Sequence, residues 1–293
     1  MGTTIVSNHG SFVNLSEGVE MWQYGVKVKS GGLHFIPSAE GRKKRGEVTS
    51  FSSAARRRMR QALLVNDLRV PSYRFGITLT VPWHGERTNA IDADFRQVWN
   101  RFTVSFKRKY PKWAGIFRVE LQQRGMPHVH AVVFCPETDA VFRGVTFWQT
   151  VHDEVFALWL RAVGADNMRG GSLEAFVKHG VSVDYIRSHG AMLRYICDHA
   201  TKAKQAQLGY QGKQWGYLNR KNFVELPPIK FEGLQGRALV LFNRQLQRLC
   251  RFRVKCDGVP FGCKLSHRVR RGTYYVNLAT ARRIATWARD FNI

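Results

Sequence analysis

Residues 113–135 read WAGIFRVELQQRGMPHVHAVVFC, and the fold class turns on them. Aromatic and β-branched residues fill both ends, and a short polar stretch containing glycine, Gln123 to Met126, divides them. That composition predicts two strands, Trp113–Leu121 and Pro127–Cys135, joined by a tight turn. Side chains two apart on a strand share a face, so His128 and His130 point one way while Val129, Ala131 and Val133 point the other. Two adjacent imidazoles make a poor core, because each buried ring needs hydrogen-bond partners. The loop length decides where Glu120 falls. With three residues in the loop, Gln123 to Gly125, Glu120 stands directly across from His128. With an even number it drops to the other face and the grouping fails.

Two neutral imidazoles and one carboxylate, with coordination positions left open, suit a divalent Lewis acid such as Mg²⁺ or Mn²⁺. Such an ion would polarise a phosphate and offset the charge that builds on it. Glu120, His128 and His130 are therefore the expected metal ligands.

Working outward, Tyr73–Val81 (YRFGITLTV) reads as a buried strand ending at Pro82. Asn89 or Asp92 opens an amphipathic helix carrying Phe95, Val98, Trp99, Phe102 and Phe106, which ends near Pro111. Thr146–Val163 is a second such helix, Val181–Ile186 a strand and Ala191–Gln205 a further helix. The aromatic stripes on these helices read as core. Upstream, Ser52 or Ser53 caps a helix through Ala54–Leu64 that presents Arg56, Arg57, Arg58 and Arg60, either a solvated basic face or a grip on phosphates. Residues 1–50 are rich in Gly, Ser and charge with little periodicity, and Gly41–Arg45 reads as a basic loop or tail. Beyond Pro227-Pro228 come a helix near Arg237–Cys250, strands, and a last helix near Ala279–Phe291. The expected organisation is a basic N-terminal region (1–70), a core (71–222) and a basic C-terminal α/β region (223–293). The expected fold is α+β, an antiparallel sheet covered by helices.

Composition narrows the partners. The 293 residues hold 46 Lys and Arg against 21 Asp and Glu, a net charge of +25. Such an excess repels itself unless a polyanion offsets it, which favours nucleic acid or an acidic membrane surface. No run of about 18 apolar residues exists to span a bilayer, and the first ten residues carry no signal-peptide pattern. Five cysteines, an odd and scattered number, fit a reducing compartment. Cys250, Cys256, Cys263 and His267 have loosely zinc-like spacing, which ordinary reduced thiols also explain. No nucleotide-binding P-loop is present, so any unwinding must come from elsewhere.

A phosphoryl-transfer site with one metal needs an attacking oxygen. Tyr195, His199 and Lys202 recur at helical spacing as a polar stripe beside apolar Met192, Leu193, Ile196 and Ala200. A cation near a tyrosine favours phenolate, and a phenolate can form a covalent ester. A half-buried packing tyrosine is the competing reading, and Tyr185 is the alternative nucleophile. Arg124 in the turn and Lys204 beyond Lys202 are further candidate DNA contacts.

Together the Phe75–Thr80 strand, Glu120 with the His128-Val-His130 triplet, Tyr195 with Lys202, and Lys213-Gln-Trp215-Gly216 resemble the HUH endonuclease family. The similarity is to the rolling-circle replication initiators of small plasmids and of filamentous or other single-stranded DNA phages, over roughly residues 50–222. The resemblance implies a five-stranded antiparallel sheet and attack by Tyr195 on origin single-stranded DNA, at a hairpin or nick site. The products would be a 5′-phosphotyrosine and a 3′-hydroxyl that primes a host polymerase. With no motor motif in the chain, a host helicase or hairpin extrusion by supercoiling would supply the unwinding, and the expected location is the cytoplasm of a bacterial host. Two departures stand out: Asp198 occupies the position of the usual lysine, and His199 the place of a second tyrosine, which implies a one-tyrosine enzyme with Lys202 as phosphate or phenolate partner. A relaxase, a single-strand transposase and a non-catalytic DNA- or RNA-binding protein are the rival readings.

Overall fold

The computed structural model describes residues 5–7, 10–15, 18–22, 25–29, 32–37, then 51, 52, 55, 58, 59, 61, 62 and 65, followed by 72–81, 91–122, 126–136, 147–164, 171–186, 213–256, 269–270, 273–274 and 276–291. The chain divides into two compact units, residues 47–225 and residues 1–46 with 226–293.

The first unit in chain order corrects the reading of residues 1–50 as aperiodic. They contain β1 (Ile5–Ser7), β2 (Gly10–Leu15), β3 (Gly18–Trp22), β4 (Gly25–Lys29) and β5 (Gly32–Pro37). The strands are short and broken by glycines, which hides an alternation plain in GVKVK once β3 and β4 are paired. Val19, Met21 and Val26 are buried, whereas Lys27 and Lys29 pair with Glu20. The basic run at 41–45 lies outside the described residues.

The other unit is built on β6 (Ser72–Thr80), helix α1 (Ile91–Lys109), β7 (Ala114–Leu121), β8 (Pro127–Pro136), α2 (Phe147–Val163), α3 (Gly171–His179), β9 (Val181–Tyr185) and β10 (Trp215–Leu218). Helix α3 and strand β10 are additions to the elements expected from the sequence. The five strands form an antiparallel sheet in the order β10-β7-β8-β6-β9. With its flanking helices, the unit has the α+β architecture expected of an HUH endonuclease fold.

One face of this sheet is apolar. Phe75, Ile77, Leu79, Phe117, Val119, Val129, Ala131 and Val133 pack under Phe95, Phe102 and Phe106 of α1 and Val151, Val155 and Trp159 of α2. Aromatic rings interlock there: Trp113 stacks on Tyr110 with centroids 4.1 Å apart, and Trp159 meets Phe102 edge-on at 5.5 Å. Burying a ring of this size contributes on the order of 2–3 kcal/mol, so the helices are held mainly by this face. Gly180 makes the abrupt step from α3 into β9; a Cβ there would lie 2.5 Å from the Phe176 carbonyl oxygen. Asn222 closes the corner between α1 and β7, its amide donating to the carbonyls of Pro111 at 2.7 Å and Trp113 at 2.9 Å.

The opposite face carries a smaller cluster. Residues 55, 58, 59, 61 and 62 are helical, and Ser52 Oγ accepts from the Ala55 amide at 3.2 Å, the cap expected there. Met59 and Ala62 of that helix, with Phe51 before it, bury against Ile116, Val132, Phe134 and Ile186.

In the first unit β11 (Ile229–Phe231), α4 (Gly236–Cys256), β12 (Val269–Arg270), β13 (Thr273–Tyr274) and α5 (Leu278–Asp290) complete the structure. Strands from both chain ends share one sheet, ordered β11-β3-β4-β13-β12. Phe242 and Leu246 of α4 pack with Ala281, Ala285 and Ala288, an i, i+4, i+7 stripe on α5. Cys250 and Cys256 lie on α4, while Cys263 and His267 are outside the described residues. No described helix is long and apolar enough to cross a membrane.

Candidate active site

The hairpin between β7 and β8 has the register on which the ligand grouping depends. Glu120 pairs with His128 and Leu121 with Pro127, and the Gln122 amide donates to the Met126 carbonyl at 2.9 Å. Three residues therefore remain in the loop, an odd number, and the carboxylate falls on the histidine face. Arg118 is the cross-strand partner of His130 on that same face. Arg124, at the loop tip, lies outside the described residues.

Strand β6 supplies what the sequence reading missed. Thr78 pairs with His130 and Thr80 with His128. Thr78 Oγ1 is 3.2 Å from His130 Nδ1 and Thr80 Oγ1 is 3.0 Å from His128 Nδ1. Gln122 Nε2 also lies 3.0 Å from His128 Nδ1. Each imidazole is thus fixed through Nδ1, and the two rings sit edge to face with centroids 4.4 Å apart. A hydrogen bond at one ring nitrogen sets orientation and tautomer at the other. At His130, when Nδ1–H donates to Thr78 Oγ1, Nε2 keeps its lone pair for a ligand; at His128 that tautomer requires the Gln122 amide to turn its oxygen toward Nδ1. The site end of β6 is anchored too, since Trp159 Nε1 of α2 donates to the Thr80 carbonyl at 2.9 Å.

Charge is concentrated here and taken out of water. Arg118, Glu120 and His130 are only 2%, 3% and 8% exposed. Buried charge is tolerated when paired, and Arg118 Nε approaches Glu120 Oε1 at 3.2 Å. The guanidinium also lies over the Phe51 ring, 4.2 Å from its centroid. Glu120 Oε2 is 3.9 Å from His130 Nε2. One carboxylate oxygen thus addresses the arginine and the other the histidine. The residues that could hold a metal are Glu120, His128 and His130. As they stand, no group of three or more His, Cys, Asp or Glu among the described residues is close enough together to hold a metal ion.

The remaining candidates divide sharply. Tyr185 pairs with Phe75 on β9 and is 48% exposed, its ring 6.0 Å from Phe75 and 6.1 Å from Tyr73. That is the helix-covered face, so Tyr185 points away from the histidines. Ser182, the partner of Thr78, occupies the histidine face of this strand instead. Tyr217 shares the histidine face through its pairing with Ile116, but burial raises its phenol above the usual value, which opposes phenolate formation. Tyr195, Lys202 and Lys204 lie outside the described residues, as do Arg56, Arg57 and Arg60. Arg58 is described, helical and exposed, on the segment that packs over this same face.

Residues 74–204 match the family model for Replication-associated protein ORF2/G2P, an interval that includes Glu120, His128 and His130 and extends through Tyr195 and Lys202. No curated protein and no solved structure shows significant similarity to the chain. The family match is consistent with a rolling-circle replication initiator of the HUH type.

Proposed function

We propose that this protein initiates rolling-circle replication by nicking and rejoining single-stranded DNA at an origin through a covalent tyrosine intermediate. The observation that carries the reading is the Glu120–His128 register, which sets a carboxylate beside two imidazoles on one sheet face. The donor chemistry fits Mg²⁺ or Mn²⁺, and the 3.9 Å between Glu120 Oε2 and His130 Nε2 is within the roughly 3–4 Å that separates two ligands of one ion with bonds near 2.1 Å. A bound cation would polarise a phosphodiester oxygen and offset the charge that develops in the transition state.

The chain's own groups do the rest. Thr78 and Thr80 contact the imidazoles at Nδ1 and Arg118 pairs with one oxygen of Glu120, contacts that would orient the three side chains toward an ion. The Tyr195 oxygen attacks phosphorus, its phenolic proton passing to solvent or a nearby base. The bond from phosphorus to the 3′ oxygen breaks as the 5′-phosphotyrosine forms, and the departing 3′ oxygen takes up a proton. Ester exchange preserves the bond energy, so a returning 3′-hydroxyl can reverse the step. Lys202 would stabilise the phenolate or phosphate. Arg58, with Arg56, Arg57, Arg60, Arg124 and Lys204, would neutralise the DNA backbone. The released 3′-hydroxyl would prime a host polymerase behind a host helicase, in a bacterial cytoplasm.

The test is incubation of the chain with Mn²⁺ and labelled single-stranded oligonucleotides tiled across a candidate origin. A denaturation-resistant adduct that vanishes in Tyr195→Phe is expected, with the linked peptide identified by mass spectrometry. An adduct that persists in Tyr195→Phe overturns the nucleophile. Tight binding without any adduct would turn the reading to a non-catalytic nucleic-acid binder.

A further inference from the structure

Helices α1 and α2 cover the sheet face turned away from His128 and His130, and a groove of about 650 Å³ runs between them. The helices are antiparallel. Arg101 Nε and Nη2 donate to the Ala162 carbonyl at 3.0 and 2.8 Å, while Lys109 pairs with Glu154 at 3.0 Å about two turns further along. Arg101, Arg108, Lys109 and Arg161 line the groove, Asn100 and Ser105 add polar hydrogen-bonding groups, and no carboxylate is among its lining residues. Glu154 of α2 is engaged by Lys109 and by the Tyr110 hydroxyl at 2.5 Å.

Cations at helix C-termini have an ordinary cause. Lys107, Arg108 and Lys109 end α1, and Arg161 lies in the last turn of α2, where each complements the backbone dipole. That effect is served by one or two charges at each end. It does not call for three arginines around one hollow in a chain already carrying +25; such crowding is repulsive until a polyanion occupies it.

We propose that this groove grips the phosphodiester backbone of duplex DNA, on the side of the sheet opposite the metal residues. The choice of duplex follows from the lining. Grooves for single strands interleave cations with aromatic rings on which bases stack, and no aromatic side chain lines this one. Its donors can address phosphate oxygens without reading sequence. The cleavage reading supplies only the reason for DNA to be near; the groove's chemistry rests on its own residues. An initiator built this way holds the double-stranded flank on one face and the strand to be cut on the other.

The full chain carrying Arg108→Gln and Arg161→Gln, both exposed positions, tests this by fluorescence anisotropy across a salt series. The probes are a short blunt DNA duplex of arbitrary sequence, one of its strands alone, and polyglutamate. Duplex affinity should fall about tenfold. The slope of log affinity against log salt should shrink by about 2, since each phosphate that is no longer neutralised removes about 0.9. Single-strand affinity and adduct formation on single-stranded oligonucleotides should not change. An unaltered duplex slope in a variant with wild-type melting overturns the proposal, as does an equal loss on the single strand or a loss confined to polyglutamate. If the double variant melts early, Arg108→Gln alone carries the test with a slope change of about 1. A shrunken duplex slope in a protein that never forms an adduct would uphold the groove while the cleavage reading failed.

Discussion

Along β6, β7 and β8 neighbouring residues serve opposite faces of one sheet. Phe75, Ile77, Leu79, Val119, Val129 and Ala131 are buried among aromatic rings of the helices. The residues between them, Thr78, Thr80, Arg118, Glu120, His128 and His130, form a hydrogen-bonded and charged layer on the reverse side. The first face is held by area removed from water and tolerates only shape-preserving change. The second gains little net stability from buried charge, whose desolvation offsets much of its attraction. Stability and chemistry are thereby assigned to alternate positions of the same strands, and substitutions should separate the two.

The largest effect is expected from Trp159→Ala. Removing a fully buried indole that also donates to Thr80 should cost about 3–5 kcal/mol of folding free energy, read from denaturant melts. A loss under about 1 kcal/mol would break the division between faces. Next, His128→Ala should reduce adduct formation by a factor on the order of 100–1,000 or more, or roughly 3–4 kcal/mol in the transition state. Its melting should stay within about 1 kcal/mol of wild type, since the ring is only half-buried. A melt as damaged as that of Trp159→Ala would show that the polar face is structural after all. Thr78→Val keeps the side-chain shape but removes the hydroxyl beside His130 Nδ1, and should weaken Mn²⁺ binding by about 10- to 100-fold in calorimetry. Unchanged metal affinity would deny the threonines an orienting role. The smallest effect is predicted for Tyr185→Phe: with its ring on the helix side, adduct yield should match wild type. A lost adduct would place chemistry on the wrong face.

Much of this was legible in the sequence, and the failures have physical causes. The hairpin could be read because strand alternation and loop parity are local, and the Glu120–His128 pairing follows from them alone. Arg118 was equally available, two residues before Glu120 and so on its face. The roles of Thr78 and Thr80 were not, because they depend on β6 lying beside β8 after more than forty intervening residues, and strand order is a long-range property. The face of Tyr185 could have been read at the start: Val181 and Val183 fix the buried side of β9, and Tyr185 continues their alternation. Strand β10 escaped because Trp215–Leu218 is only four residues long with a glycine inside. Glycine interruptions likewise concealed β1 to β5.

The cap at Ser52 and the packing of Phe51, Met59 and Ala62 have a practical consequence. Trimming the chain to begin at residue 71, where the sequence suggests a core, would strip the cover from Ile116, Val132 and Phe134 and take the ring from beneath Arg118. The shortened protein would present an oily patch beside its histidines and would tend to self-associate. A loss of activity in it would then say more about the missing shield than about the chemistry of the histidine face it once covered.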